Sequence, residues 1–222
     1  MLKIYVICHN DESEQRAIKL TQDNPCAVPT RIRTTVFLET NFWNEYDGSS
    51  DTEWVGTISY HADDKTSDPL GKLEKTIGED IDVVGLYNPQ PWLSIAHHAV
   101  RFHPGLLQLL EIFLYKAGET REDIAKLSSK ELKPFYANFW VARQEWARSY
   151  SDWLRRVLPV ANEAEVQKLL WLNSGYGYFS EKSKKDGMRI FGCPYYPMHP
   201  FLGERLPAYY FHTRKARVTV VP

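Results

Sequence analysis

Cysteine is scarce in this 222-residue chain: there are three, Cys8, Cys26 and Cys193. The number is odd and no CxxC pair is present, which excludes a disulfide framework and a thiolate zinc site and points to a reducing compartment. Charge of either sign is not in excess, with 27 basic against 28 acidic residues and a net charge of −1. That balance excludes a dedicated nucleic-acid binder, which carries a basic surplus. No run of 18 or more apolar residues occurs, so a membrane-spanning helix is not expected. Residues 2–8, LKIYVIC, read as a strand rather than a signal peptide. The expectation is a cytoplasmic protein, able to visit a membrane surface but not to cross it. Glycine-rich phosphate loops, GxGxxG or Walker, are also lacking.

Aromatic residues are plentiful instead, at 14% of the chain with 7 Trp and 13 Tyr. They serve as core or as stacking platforms for sugars and bases. With ordinary hydrophobic content and no internal repeat or low-complexity linker, residues 1–222 are expected to form one domain.

The chain opens strand–turn–helix, as nucleotide-binding α/β folds do. The strand 2–8 runs into Cys8, His9 and Asn10, a turn that suits contact with a base or ribose and equally suits a helix cap. Asp11 and Glu14, three apart, resemble a capping box, and the helix they open would bury Ala17, Ile18 and Leu20. A second strand is expected within 27–38, with Arg31 and Arg33 on one face. Both are read as edge charges or as phosphate contacts.

Residues 53–64, EWVGTISYHADD, carry the strongest functional signal. An apolar run, 54–60, ends in adjacent carboxylates Asp63 and Asp64. Open α/β sheets bind ligands beyond the carboxyl ends of their strands, and carboxylate oxygens suit Mg²⁺ or Mn²⁺. A surface turn gives the same pattern. A literal DxD, Asp80 and Asp82, stands before the strand 83–87 instead of after it and ranks lower for that reason.

A proline-rich turn is expected over 88–92. His97, His98 and His103 invite a zinc reading, yet their spacing is not HExxH. Helices are expected over 105–116, 121–132, 144–158 and 163–172, and a strand over 135–141 with Asn138 inside it. The third of these helices is the clearest, with Trp146, Tyr150, Trp153, Leu154 and Val157 on one face. Residues 175–192, with the charge run EKSKKD, read as a mobile loop. The aromatic tail, with His199, Glu204, Arg205 and His212, reads as a packed pocket wall.

In their order, KIYVICHN, EWVGTISYHADD, FYANFWVARQEWARSYSDWL and HPFLGERLPAYYF resemble GT-A glycosyltransferases, in particular the capsular-polysaccharide-type and chlorella-virus-type domains. The third segment matches the pattern N-x-x-V-x-R-x-x-W through Asn138, Val141, Arg143 and Trp146. The usual DxD stands here as Ala62-Asp63-Asp64, which puts metal dependence in question. The resemblance implies an α/β fold with a mixed, mostly parallel central sheet flanked by helices. It implies a nucleoside-diphosphate sugar donor, UDP-sugar favoured, and a glycan acceptor. It implies Mn²⁺ or Mg²⁺ on Asp63 and Asp64, with His199 as a further ligand and His212 as fallback. Val6, Cys8, His9, Asn10, Arg33 and Asn138 would contact the donor or acceptor, and Glu204, beside Asp64, would serve catalysis as general base. A non-catalytic sugar- or nucleotide-binding domain is the alternative, and a zinc hydrolase on the three histidines a third reading.

Overall fold

The computed structural model describes residues 1–33, 36–87, 93–176 and 180–222. In chain order the elements are β1 (Leu2–Cys8), α1 (Asp11–Thr21), β2 (Ala27–Arg31), α2 (Glu39–Glu45), β3 (Trp54–Ser59), α3 (Pro69–Thr76), β4 (Val83–Tyr87), α4 (Ile95–Phe102), α5 (Leu106–Lys116), α6 (Arg121–Ala125), β5 (Phe135–Arg143), α7 (Gln144–Val157), α8 (Ala164–Leu170), α9 (Glu181–Phe191), α10 (His199–Gly203), α11 (Leu206–Thr213) and β6 (Val218–Val221). The turn expected over 88–92 lies outside the described residues.

The strands form one six-stranded sheet in the order β2-β1-β3-β5-β4-β6. β1 runs parallel to β2 and β3, and β4 parallel to β6, while β5 is antiparallel to both of its neighbours. The fold is therefore α/β, with a mixed, mostly parallel sheet flanked by helices, as expected. Every residue of β3 is buried, because a central strand covered by helices on both faces has no solvent side. Its close approach to β5 requires Gly56, where a Cβ would run into the Trp140 carbonyl.

Alternation along the strands builds a core on each face. Val55, Val83, Trp140 and Ala142 join the larger one, whose centre is the stack of Trp43 on Trp140, 4.2 Å between ring centroids. Trp54, Ile58, Val84, Phe139 and Val141 join the smaller one beside α1 and α3. The apolar stripe expected on α7 is buried in the larger core, at Tyr150, Trp153, Leu154 and Val157. Among the described residues no helix is long and apolar enough to cross a membrane.

Four expectations need correction. The cap of α1 is Asn10 with Ser13, one residue earlier than the Asp11–Glu14 pairing: Asn10 Oδ1 accepts from the Ser13 amide at 2.8 Å, and Ser13 Oγ accepts from the Asn10 amide at 2.9 Å. In α1 itself Ala17 is buried but Ile18 is exposed. The strand expected within 27–38 is β2, but it ends at Arg31, so Arg33 lies beyond it and does not share a strand face with Arg31. In the stretch read as a mobile loop, residues 181–191 form the helix α9. Its charge run is organised into pairs one turn apart, Lys184 with Glu181 and Arg189 with Asp186, which support a helix.

Candidate functional site

Because β5 runs against its neighbours, its first residues lie at the same edge of the sheet as the carboxyl ends of β1 and β3. At that edge is a cavity of 460 Å³, lined from β1 and its turn by Ile7 and His9 and from β3 and its turn by Ser59, Tyr60, His61 and Lys65. Glu39 enters from the start of α2 and Ala137 from β5, and Glu204 and Arg205 close it from the tail, with His98 and His103 behind them. The size suits a small-molecule ligand.

The backbone around it is irregular. Gly85 pairs with Trp140 but Tyr87 pairs with Phe135, so β5 carries extra residues in a bulge. Ala137 and Asn138 both take positive φ there, 45° and 60°, and Leu38, just before Glu39, has φ 45°. Such conformations are costly for residues other than glycine and concentrate at ligand sites. A buried polar network holds the bulge. Trp43 Nε1 donates to Thr57 Oγ1 at 3.0 Å, Thr57 Oγ1 donates to the Asn138 carbonyl at 3.1 Å, and Asn138 Nδ2 donates to Thr40 Oγ1 at 3.3 Å.

Burial governs the electrostatics. Glu39 is 9% exposed. Desolvation raises its carboxyl from the ordinary 4.5 to about 7, with Glu204 adding to the rise while its own backbone amide, Lys65 and the Ser59 hydroxyl oppose it. Ser59 Oγ also lies 3.1 Å from His61 Nδ1. Desolvation, then Lys65 and Arg16, push His61 down to about 3. Arg205 is 2% exposed. Its guanidinium pairs with Glu204, donates to the Phe201 carbonyl at 3.2 Å and lies 2.8 Å from His98 Nδ1. Desolvation and the same guanidinium push both His98 and His103 down to about 3. These histidines are therefore neutral at pH 7. Two nitrogens of lining residues, His9 Nε2 and Arg205 Nε, are buried with no hydrogen-bond partner. Buried polar groups are normally satisfied, and these two belong to residues of the cavity wall.

Of the residues the sequence singled out, His9, His98, His103, Glu204 and Arg205 line this cavity. Val6 and Cys8 do not: alternation along β1 turns them into the smaller core, and burial, then Glu14, pushes the Cys8 thiol up. Asn10 is occupied as the cap of α1. Arg33 is exposed beyond β2, and Arg31 is tied to Asp11 and Glu14. Asn138 is a buried part of the bulge network, and its Oδ1 has no partner. His199 is buried between Phe37 and Trp171, with ring centroids at 5.2 and 4.8 Å. His212 is buried against Phe135. Of the DxD pair before β4, Asp82 is bound by Arg217 at 2.7 Å.

Asp63 and Asp64 stand on the turn Ala62–Asp64 after β3, exposed and outside the cavity lining. One nitrogen of Arg16 reaches both, Asp64 at 2.8 Å and Asp63 at 3.4 Å, and the same guanidinium lies over the Tyr60 ring. The set expected for Mn²⁺ or Mg²⁺, Asp63, Asp64 and His199, is not assembled. Among the described residues no group of three or more His, Cys, Asp or Glu side chains is arranged to hold a metal. Arg16 already holds one oxygen of each aspartate. The three histidines do not converge either: His98 and His103 face the cavity, while His97 is exposed and bonds Ser94 at 2.7 Å.

Sequence reasoning missed Glu39, Ser59, His61 and Lys65. Lys65 follows the aspartates directly and Ser59 and His61 belong to the same motif, so attention to the whole strand end would have found them. Nothing local marks Glu39, which gains its environment from elements far along the chain. Comparison with family models, with curated proteins and with solved structures found no match for this chain.

Proposed function

We propose that this protein is a glycosyltransferase of GT-A type that moves a sugar from a nucleoside-diphosphate donor, UDP-sugar favoured, to a hydroxyl of a glycan acceptor. The observation that carries the reading is the cavity at the carboxyl ends of β1 and β3, which brings two carboxyl groups, Glu39 and Glu204, together with Lys65 and Arg205. Ligand sites of open α/β sheets lie at such an edge. The mixed, mostly parallel sheet agrees with the resemblance in the sequence, and Tyr60, Tyr176 and Phe201 in the lining offer faces for a sugar or base.

In an inverting reaction the acceptor hydroxyl gives its proton to a carboxylate. Its oxygen bonds to the anomeric carbon, and the bond from that carbon to the phosphate oxygen breaks. The nucleoside diphosphate leaves with the electron pair. A group that ionises near neutral pH is best suited to exchange that proton. Glu39, raised to about 7, meets this better than Glu204, which is held by Arg205. No step is routed through a metal, since the expected ligands are not brought together.

The test is calorimetric titration with UDP, GDP and dTDP, followed by release of the nucleoside diphosphate from the matching sugar donor. One nucleotide should bind, and Glu39→Gln should bind it with wild-type affinity while losing release. Binding with no turnover of any donor would favour the sugar- or nucleotide-binding alternative. Failure of all three nucleotides to bind would sink the reading.

A further inference from the structure

We propose that the diphosphate of the donor is held in this cavity without a divalent cation, by a set of nitrogens from three elements: Lys65, His9 and Arg205. The inference rests on the glycosyltransferase reading and names how that site meets the charge of its ligand.

Three observations carry it. First, the residues from which a cation site was expected are not brought together: Asp63 and Asp64 share Arg16 on an exposed turn outside the cavity, and His199 is buried between two aromatic rings away from them. A hard cation takes several oxygen ligands, and the two aspartates expected to supply them lie outside the cavity lining and share Arg16. Second, nitrogen-bearing side chains line the cavity where those ligands do not. Lys65, from the turn after β3, His9, from the turn after β1, and Arg205, from the start of α11, all line the one cavity. Third, two of these nitrogens, His9 Nε2 and Arg205 Nε, are buried without a partner. Phosphate oxygens are strong acceptors that satisfy such groups with charge-assisted bonds.

The two carboxyls of the cavity do not cancel this set. Glu204 is paired with Arg205. Glu39, beside Lys65, holds its proton through much of the neutral range because it is desolvated. The neutral histidines His61, His98 and His103 add no charge of either sign. Lys65 brings an ammonium group to the lining beside Glu39.

The experiment titrates uridine, UDP and inorganic pyrophosphate into the protein in EDTA and again in Mn²⁺. It compares wild type with Lys65→Met, Lys65→Gln, Lys65→Arg and the double variant Asp63→Asn/Asp64→Asn. In EDTA, wild type should bind UDP about tenfold or more tighter than uridine, the size of one charge-assisted contact set. Lys65→Met and Lys65→Gln should lose that gain, Lys65→Arg should keep most of it, and the double variant should match wild type. Thermal melting of each variant separates lost binding from lost folding.

UDP binding that appears only with Mn²⁺ and disappears in the double aspartate variant would overturn the metal-free site while leaving the nucleotide-sugar reading intact. A diphosphate gain in EDTA that survives both neutral Lys65 variants would also overturn it. No binding of UDP or pyrophosphate in either buffer would overturn both.

Discussion

Two pairs of carboxylates stand at the same edge of the sheet, and they differ in almost everything but chemistry. Asp63 and Asp64 are neighbours in sequence, more than half exposed, and share one guanidinium, that of Arg16. Glu39 and Glu204 come from opposite ends of the chain, are largely buried, and meet only because α2 and the tail close over β3. In water, the ion pairs of an exposed acidic pair contribute little. Out of water, each carboxyl must find a cation, a hydrogen bond or a proton. Glu204 has taken Arg205, and Glu39 has taken Ser59 and a raised affinity for its proton. The more conspicuous motif in sequence is thus the one more open to water.

The sharpest way to break this comparison is to delete one carboxylate from each pair. Glu204→Ala leaves the Arg205 guanidinium, 2% exposed, without its counter-charge, and should cost about 3–5 kcal/mol of unfolding free energy in urea. Asp64→Ala should cost no more than about 1 kcal/mol. Equal costs would refute the distinction.

A second test uses pH. Glu39 binds its proton more tightly folded than unfolded, so between about pH 4.5 and pH 7 stability falls as pH rises, and the loss is complete above 7. At about 1.4 kcal/mol per pH unit this amounts to roughly 3 kcal/mol, an upper figure. Glu39→Gln lacks the penalty. It should be more stable than wild type at pH 8, with the gap closing towards pH 4. The histidines act in the opposite sense. His61, His98 and His103 titrate near 3 when folded, so their stability is present above about 6.5, the ordinary histidine value, and lost as pH falls towards 3. Only the difference between variant and wild type isolates Glu39.

A finer test asks whether the buried pair communicates. Glu204→Gln removes a like charge and leaves Arg205 positive, so the Glu39 carboxyl should titrate lower, as followed by carbon-13 NMR. The smallest effect belongs to the surface pair. Arg16→Ala should change stability by less than about 1 kcal/mol and by still less in high salt, since screening weakens exposed charges.

Most elements were legible because their signals are local. The buried run LKIYVIC, the amphipathic α7 and the apolar 54–60 run follow from alternation and helical spacing, which a chain carries within a dozen residues. The misreadings were also local. Asn10 outcompeted Asp11 as cap because Ser13 stood three residues on to complete the box. The EKSKKD run formed a helix through paired charges.

The candidate site was legible only in part. His9, Glu204 and Arg205 were found within recognisable segments, and His98 and His103 as part of a histidine cluster, while Val6 and Cys8 were lost to alternation along β1. By itself the amino-acid sequence determined the α/β class, the order of strands and helices, and the strand end at which polar side chains gather. Only the tertiary structure decided that Glu39, Lys65 and Arg205 share a cavity and that Asp63 and Asp64 do not. The reason is that a carboxyl group's behaviour depends on its access to water and on the charges beside it, and both are set by residues far away in the chain.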